Sequence, residues 1–379
     1  METAEVIVIG TGAVGSSAMW HLARRGVDTL GLDRFEPGHD KGSSHGQTRI
    51  IRLAYHEHPN YVPILLRSYE MWKALENDIE QDLYRETGLI QIGLPDQGIL
   101  KGVKLSADLH NLPIQNLNNH DIMDIYPGLN IPDNMEGVFE NKAGFLRVEK
   151  CIKTQLKLAT RARARLISGV SVYGWKPEGD GVVVQTSEGS KWADKLVITA
   201  GSWSGDLLPH LSAQMSVVRK PLFWYQGNDF YDVESGFPTF IFDTHEGQFY
   251  GFPSINDLGV KVAEHTGGDP VSDLMGLDRT LDPKDKIKID HFIQAYLPNI
   301  DTAKLSDHAV CMYTRTPDGN FIVGRDPRYP QVSYVCGLSG HGFKMSIGLG
   351  EILADFATDQ VPYMDVDFLS PARFQSGFF

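Results

Sequence analysis

The N-terminal segment combines two apolar patterns that predict a strand, a helix and a second strand. Residues Val6 to Ile9 form an unbroken β-branched run, which is typical of a strand buried on both faces of a parallel sheet. Val14, Ala18 and Leu22 then recur at every fourth position, which predicts an amphipathic helix. A second apolar run follows and ends at Asp33.

The same patterns continue along the chain. Helical spacing of apolar residues predicts helices over residues 62–76, 148–164, 290–296 and 342–358. Apolar or alternating runs predict strands over residues 88–94, 166–173, 181–186 and 196–204. Residues 217–262 carry aromatic-rich alternating runs, which favour an antiparallel sheet with one face turned toward a pocket.

Three glycines after the first strand have the spacing G-x-G-x-x-G. Gly10 permits a tight turn, Gly12 lets a pyrophosphate approach the backbone, and Gly15 lets the helix pack closely on the strand. Asp33, at the end of the second strand, is placed to accept hydrogen bonds from an adenosine ribose. The complete strand, turn, helix and strand context predicts a dinucleotide site that suits FAD or NAD better than NADP.

Segments typical of nucleotide binding occur at both ends of the chain, so two domains must be interleaved. We expect an α/β fold with two domains, one Rossmann-like and one built on a mainly antiparallel sheet. The Rossmann-like domain is predicted to comprise residues 1–86, 145–216 and 320–379, and the catalytic domain residues 87–144 and 217–319.

Composition excludes several function classes. The 379 residues are 42% hydrophobic, enough for two cores, and the net charge of −13 argues against a nucleic-acid partner. We find neither an apolar run that could span a membrane nor a signal peptide, so we expect a cytoplasmic enzyme with no membrane partner. Cys151, Cys311 and Cys336 form neither a disulfide framework nor a zinc motif, and no metal is expected. The motifs of zinc proteases, α/β-hydrolases and P-loop enzymes are absent.

Five cationic or titratable residues are candidates for chemistry. Lys261 and His265 are four apart on a predicted strand and would face the same side. A lysine at such a position more often points outward into solvent. Arg49 and Arg52 would share a side only in a helical turn, and they could bind a carboxylate or pair with surface acids. Lys344 lies in the first turn of the last predicted helix, where the dipole disfavours a cation, which indicates an anion nearby.

Five motifs in order along essentially the whole chain resemble the monomeric sarcosine oxidase and N-methyltryptophan oxidase group of flavoprotein amine oxidases. They are VIVIGTGAVG, HGQTRIIRLAY, YGFPS with the later GVKVAEHT, AVCMYTRTPDGNFIVG and GLSGHGFK. The resemblance implies that the Rossmann-like domain binds FAD and that the antiparallel sheet of the catalytic domain covers one face of the flavin. It also suggests a monomer.

The resemblance implies roles for individual residues. Cys311 would hold FAD through a covalent thioether, and Lys261 would help oxygen to react beside the flavin. The expected catalytic residues are Lys261, Arg49, His265 and Tyr313, and the expected substrate-binding residues are Arg52, Lys344, Tyr250 and Ile241. Cofactor contacts are expected from Gly10, Gly12, Ala13, Val14, Gly15, Asp33, Arg34, Gly42, Ser43, Ser44, Thr48, Arg49, Val170, Ala200, Gly201, Trp203, Cys311, Gly340, Gly342, Phe343 and Lys344.

The implied activity is oxidation of a secondary N-methyl amino acid by O2, giving the amino acid, formaldehyde and hydrogen peroxide. Three alternatives stay open: a dehydrogenase of the same fold with another electron acceptor, an oxidase of a cyclic secondary amino acid such as proline or pipecolate, and a non-catalytic flavin-binding subunit. Lys261 and Cys311 argue against the last of these.

The chain departs from the pattern of its relatives at two places. Ser44 and Gln47 stand in GSSHGQT where relatives commonly have GSHHGDT. The segment IFDTHEG differs from both subfamilies, which leaves the size of the substrate open.

Overall fold

A computed structural model of the protein describes residues 1–377, which form eight α-helices and three β-sheets. The helices are α1 (Ala13–Arg24), α2 (Val62–Ile79), α3 (Gly98–His110), α4 (Asn119–Ile125), α5 (Val148–Arg161), α6 (Ser204–Leu207), α7 (Pro283–Tyr296) and α8 (Ser346–Ala357). The strands are β1 (Glu2–Ile9), β2 (Thr29–Leu32), β3 (Thr48–Ile51), β4 (Tyr84–Glu86), β5 (Leu89–Gly93), β6 (Gln115–Asn118), β7 (Glu136–Glu140), β8 (Gly144–Arg147), β9 (Arg165–Ile167), β10 (Val172–Glu178), β11 (Gly181–Thr186), β12 (Gly189–Ile198), β13 (Ser216–Tyr225), β14 (Thr239–Thr244), β15 (Gly247–Phe252), β16 (Val260–Glu264), β17 (Leu305–Arg315), β18 (Ile322–Arg325) and β19 (Val332–Cys336).

The first sheet contains the predicted N-terminal unit. Its strand order is β10-β11-β12-β1-β2-β9, and β19 pairs with β12 and with β18. Strand β1 lies parallel to both β12 and β2, as expected for a doubly wound sheet. Ala18 and Leu22 of α1 are fully buried in the core that β1 shares with α5 and α8. The predicted strand, glycine turn, helix and second strand are therefore confirmed.

The second sheet has the order β17-β13-β16-β15-β14-β5-β7-β6. Its neighbouring strands pair antiparallel, except that β14 runs parallel to β5. One face packs on α7 through residues such as Phe292. The other face carries a second cluster that includes Ile241, Tyr250 and Cys311. The mainly antiparallel sheet predicted from the aromatic runs is confirmed.

The two large sheets alternate along the chain. Strands of the first sheet come from residues 2–32, 165–198 and 322–336, and those of the second from residues 89–140 and 216–315. A small sheet, β3-β8-β4, lies between them in sequence. The interleaved architecture is thus observed, whereas the exact domain boundaries stay a prediction.

One predicted strand is wrong, and a second ends early. The chain makes two short strands where one was predicted over residues 166–173, because Gly169 has a left-handed backbone (φ 77°) and Val170 donates its N–H to the carbonyl of Asp33. The strand predicted over 196–204 ends at Ile198, before a 3₁₀ turn at Gly201–Trp203. Within residues 1–377, no helix is both long and apolar enough to cross a membrane.

Candidate active site

A cavity of about 190 Å³ opens at the carboxyl ends of β1, β2 and β12, around the glycine turn. Gly10 has φ +84°, and a Cβ there would lie 2.6 Å from the carbonyl oxygen of Thr199. A Cβ on Gly15 would lie 1.8 Å from the carbonyl oxygen of Gly10, so only glycine permits this packing. At Gly12, which lines the cavity, the nearest atom would be Ser44 Oγ at 3.8 Å, and the backbone is open to a ligand.

Asp33 is fixed at the wall of this cavity, which we call the larger cavity because a smaller one adjoins it. Its Oδ2 accepts hydrogen bonds from the backbone N–H (2.6 Å) and the hydroxyl (3.0 Å) of Thr11, and its Oδ1 accepts one from the N–H of Phe35 (2.9 Å). The carboxylate is 8% exposed and retains lone pairs for a ligand hydroxyl. The glycine turn, the start of α1 and this acid together fit an adenine dinucleotide such as FAD.

Most of the predicted cofactor contacts line the larger cavity. They are Gly10, Gly12, Ala13, Val14, Asp33, Arg34, Gly42, Ser43, Ser44, Arg49, Val170, Ala200, Gly201, Trp203, Gly340, Gly342 and Phe343. Gly15, Thr48, Cys311 and Lys344 lie outside this lining. Gly15 packs beneath the turn, Thr48 faces Lys261, and Lys344 lines a neighbouring cavity.

The neighbouring cavity, of about 60 Å³, contains the other predicted residues. Seven of the eight predicted catalytic and substrate-binding side chains line it: Arg49, Arg52, Ile241, Tyr250, His265, Tyr313 and Lys344. The two cavities share Arg49, Tyr313, Gly340 and Phe343. A ligand in the smaller cavity would therefore lie next to one in the larger cavity, at this shared wall.

Arg49 and Arg52 reach the same cavity although their segment is extended. Strand β3 ends at Ile51, so Arg52 lies outside it, directly before a bend at Leu53 and Ala54. The rule that a spacing of three in a strand separates two side chains therefore does not apply. The expectation that only a helical turn could bring them together is wrong. Arg49 donates to the carbonyl oxygens of Thr48 and Ser43, both at 2.9 Å.

Arg52 and Lys344 form a buried cationic end of the smaller cavity. Arg52 donates to both carboxylate oxygens of Glu57, at 2.8 and 2.7 Å. Burial is the largest single influence and would raise the pKa of Glu57, but Arg52 together with the other basic groups around it holds that pKa well below its usual range. Lys344 donates to the carbonyl of His341 at 2.7 Å, and burial, followed by repulsion from Arg52, lowers the pKa of Lys344 to about 7.

Lys261 lies behind the cofactor-facing loop, outside the smaller cavity. Its Nζ donates to the carbonyl oxygens of Gly46 (2.6 Å) and Thr48 (3.1 Å), and it lies 5.4 Å from the ring centroid of Trp224. Burial, followed by Arg49, lowers the pKa of Lys261 well below its usual value. His265 follows the end of β16 and stands 5.5 Å, centroid to centroid, from the ring of Tyr313. The structure thus places the two residues in different surroundings.

Cys311 lies in the middle of β17 and is fully buried. Its Sγ is 3.3 Å from the carbonyl oxygen of Ser43 and 3.4 Å from Nη2 of Arg49, and both of these residues line the larger cavity. Met312 and Tyr313, which follow it in the strand, also line that cavity. The thiol therefore stands directly behind the cavity wall.

Sequence reasoning missed several polar residues of the smaller cavity. His56, Glu57 and His341 all line it, and the hydroxyl of Tyr55 is 2.6 Å from Nδ1 of His341. Burial lowers the pKa of His341 to about 4 and that of His56 to about 3, so both rings are neutral at pH 7. For His56 and Glu57 the sequence did contain a signal, which is the run YHEH directly after HGQTRIIRLA.

Comparison with known proteins agrees with this geometry. The family described as FAD dependent oxidoreductase matches residues 5–356. The chain is 37% identical over 378 residues to the N-methyl-L-tryptophan oxidases of Escherichia coli and Shigella flexneri, covering 98% of this chain and 99% of each relative. The same fold occurs in NikD, an unusual amino acid oxidase (TM-score 0.85, 24% identity, 98% of both chains), and in an L-proline dehydrogenase from P. horikoshii (TM-score 0.86, 21% identity, 99% of both chains).

Proposed function

The chain belongs to the FAD dependent oxidoreductase family, and on that premise we propose that it oxidises a secondary N-methyl amino acid with O2. The products would be the amino acid, formaldehyde and hydrogen peroxide. The observation that carries the proposal is the shared wall of the two cavities, which puts the cationic end formed by Arg52 and Lys344 next to the dinucleotide site. The N-methyl-L-tryptophan oxidases that resemble the chain over its whole length support it.

FAD fits the larger cavity, and when bound it would accept a hydride from the N-methyl carbon and pass its two electrons to O2, which takes up two protons to give hydrogen peroxide. Water would hydrolyse the resulting imine to the amino acid and formaldehyde. The open backbone at Gly12 and the fixed carboxylate of Asp33 would hold its pyrophosphate and ribose. We propose that Cys311 holds it covalently through a thioether. The contacts of the thiol with Ser43 and Arg49 of the cavity wall support this assignment.

The residues of the smaller cavity would bind and orient the substrate. Arg52 and Lys344 would bind its carboxylate, because a buried guanidinium and a buried ammonium form strong charge-assisted hydrogen bonds with it. Tyr250 and Tyr313, whose hydroxyls are 3.4 Å apart, would enclose the amine together with Ile241 and His265. Burial lowers the pKa of His265 well below its usual value, so this ring adds no positive charge beside the amine.

Arg49 and Lys261 would provide positive charge beside the cofactor. Arg49 lies on the wall that both cavities share, where it would face the reacting groups. Lys261 would promote the reaction with O2 from its buried position behind the loop at Gly46. Charges fixed in a dry site act without the reorganisation that water would need.

We further propose that the enzyme acts as a monomer in the cytoplasm. Residues 1–86, 145–216 and 320–379 would form the FAD-binding domain, and residues 87–144 and 217–319 the catalytic domain. The first sheet takes all its described strands from the former ranges, which supports this division.

The proposal is tested by measuring hydrogen peroxide, formaldehyde and O2 consumption with sarcosine, N-methyl-L-tryptophan, L-proline and L-pipecolate. We expect equal amounts of peroxide and formaldehyde from an N-methyl substrate, and Arg52→Met should lose most of this activity through a higher KM. Peroxide without formaldehyde would instead identify ring oxidation of a cyclic amino acid. Dye reduction without O2 uptake would identify a dehydrogenase, and a flavin that stays oxidised with all four would contradict enzymatic amine oxidation.

A further inference from the structure

A row of paired residues crosses the second sheet beneath the smaller cavity. Ala263 pairs with Tyr250, Tyr250 with Ile241, Ile241 with Gln91, and Gln91 with Val138. Directly paired residues on neighbouring strands point to the same face of a sheet. Gln91 therefore shares the face of Tyr250 and Ile241, which both line the smaller cavity, and lies one strand beyond Ile241.

Gln91 is a polar residue in an apolar position. Its side chain is fully buried, and neither its amide oxygen nor its amide nitrogen has a hydrogen-bond partner within residues 1–377. Its neighbours Ile90 and Ile92 point into the opposite core, on α7. A buried amide with both ends unpaired is rare in folded proteins and is costly unless a ligand pairs with it.

His56 provides a second unpaired polar atom on the cavity wall. Among residues 1–377 its Nδ1 has no hydrogen-bond partner, although Oε2 of Glu57 lies 3.5 Å away. Helix α3 covers both places: a Cβ on its Gly102 would lie 2.5 Å from the carbonyl oxygen of His56, and its Leu100 packs on β5, the strand of Gln91. Gln91 and His56 thus lie under one helix, on the side of the cavity away from β17.

We propose that Gln91 and His56 form the polar end of a subsite for the substrate's side chain, selective for aromatic groups that carry a hydrogen-bond donor. This inference rests on the proposed function. Ile241 lines the smaller cavity and lies between it and Gln91. Rotation of Ile241 would extend the cavity along the row toward Gln91. A phenol O–H or an indole N–H then donates to Oε1 of Gln91, and a phenol oxygen also accepts from Nε2.

The experiment compares N-methyl-L-tyrosine with N-methyl-L-phenylalanine, which differ by one hydroxyl. We expect the native enzyme to prefer the tyrosine derivative by about tenfold or more in kcat/KM, because a site built to pair with a hydroxyl rejects the analogue that lacks it. Gln91→Met, which keeps the length of the side chain, should bring the ratio close to one, mainly by lowering kcat/KM for the tyrosine derivative. Ile90→Val, on the opposite face of the same strand, should leave the ratio unchanged.

Binding separates this inference from the proposed function. The holoenzyme is titrated with 4-hydroxyphenylacetate and phenylacetate, which carry no oxidisable amine, and the flavin absorbance reports Kd. We expect a preference for the hydroxylated acid that Gln91→Met abolishes, with a Tm no lower than that of the native holoenzyme because an unpaired amide has been removed. Equal Kd values in the native enzyme, or a ratio that survives in Gln91→Met, would overturn the subsite even if N-methyl amino acids are oxidised. Absence of turnover with a clear binding preference would contradict only the proposed function.

Discussion

Glu57 is paired with the guanidinium of Arg52, which we expect to bind the substrate carboxylate. Glu57→Gln is therefore an informative variant. The Glu57 carboxylate accepts two hydrogen bonds from Nη2 of Arg52, and Arg52 is only 2% exposed. A substrate carboxylate would therefore compete with Glu57 for the same guanidinium. Removing the negative charge of Glu57 should strengthen carboxylate binding, even though Glu57 itself lies in the cavity wall.

The size of the effect follows from the contact. A hydrogen bond to a charged group contributes about 1.5–3 kcal/mol. The Glu57 side chain is 17% exposed, and a glutamine still accepts one bond, so the competition that is removed is about 1–2 kcal/mol, or about 5- to 30-fold in Kd. The Tm of the ligand-free holoenzyme should fall, because Arg52 loses its charged partner.

The assay is titration of the holoenzyme with phenylacetate, together with KM for the best N-methyl substrate. Glu57→Asp keeps the charge and should stay close to the native Kd. Glu70→Gln removes an exposed acid that pairs with Arg67 and should change neither Kd nor Tm. If Glu57→Gln bound phenylacetate more weakly than the native enzyme, Glu57 would be holding Arg52 in position and the competition argument would be refuted.

Four further predictions follow from the same geometry. Because the pKa of Lys344 is about 7, its positive charge is present below that pH and is lost above it, so Kd for phenylacetate should rise by up to about tenfold per pH unit above pH 7, and Lys344→Met should bind weakly with a flat profile. Acid precipitation should give a yellow pellet, whereas a colourless pellet with a yellow supernatant would contradict the thioether to Cys311. Stopped-flow measurements on Lys261→Met should show flavin reoxidation slowed much more than reduction, and an equal loss of both rates would remove its assigned role. Gly340→Ala should lower stability by about 1–3 kcal/mol, because Gly340 has φ +86° and a Cβ would lie 2.3 Å from the ring of Tyr313; a native Tm would show that the wall adapts.

The sequence predicted the parts of the fold whose cause is local. The strand, turn and helix from Val6 to Leu22 are specified by short-range apolar spacing and by three glycines, and the structure reproduces them. The antiparallel sheet followed from alternation within each strand. The strand predicted over residues 166–173 failed because Gly169 turns the chain, and apolar spacing alone does not report a positive φ.

The chemistry of the smaller cavity depends on long-range register and was only partly predictable. Local patterns made Arg52 and Lys344 candidates for binding an anion, and the resemblance to a family added Tyr313 and the individual roles. The structure brings all three to one cavity. The run YHEH contains Glu57, but its pairing with Arg52 is known only from the structure. Gln91 is far in sequence from Ile241, with which it pairs. Its neighbours Ile90 and Ile92 are apolar, so the sequence of this strand does not indicate a polar site.

The buried charges of the site lower the stability of the ligand-free protein. Arg52, Lys261 and Lys344 are almost wholly withdrawn from water and Arg49 is partly buried, and burial lowers the pKa values of both lysines. Glu57 pairs with Arg52, whereas Lys261 and Lys344 are held by carbonyl oxygens, which do not cancel their charge. An excess of buried positive charge is unfavourable until an anion arrives, so a bound carboxylate should raise both the pKa of Lys344 and the Tm of the holoenzyme. The same excess that weakens the ligand-free fold is what provides the affinity for an amino acid's carboxylate at the wall of the dinucleotide site.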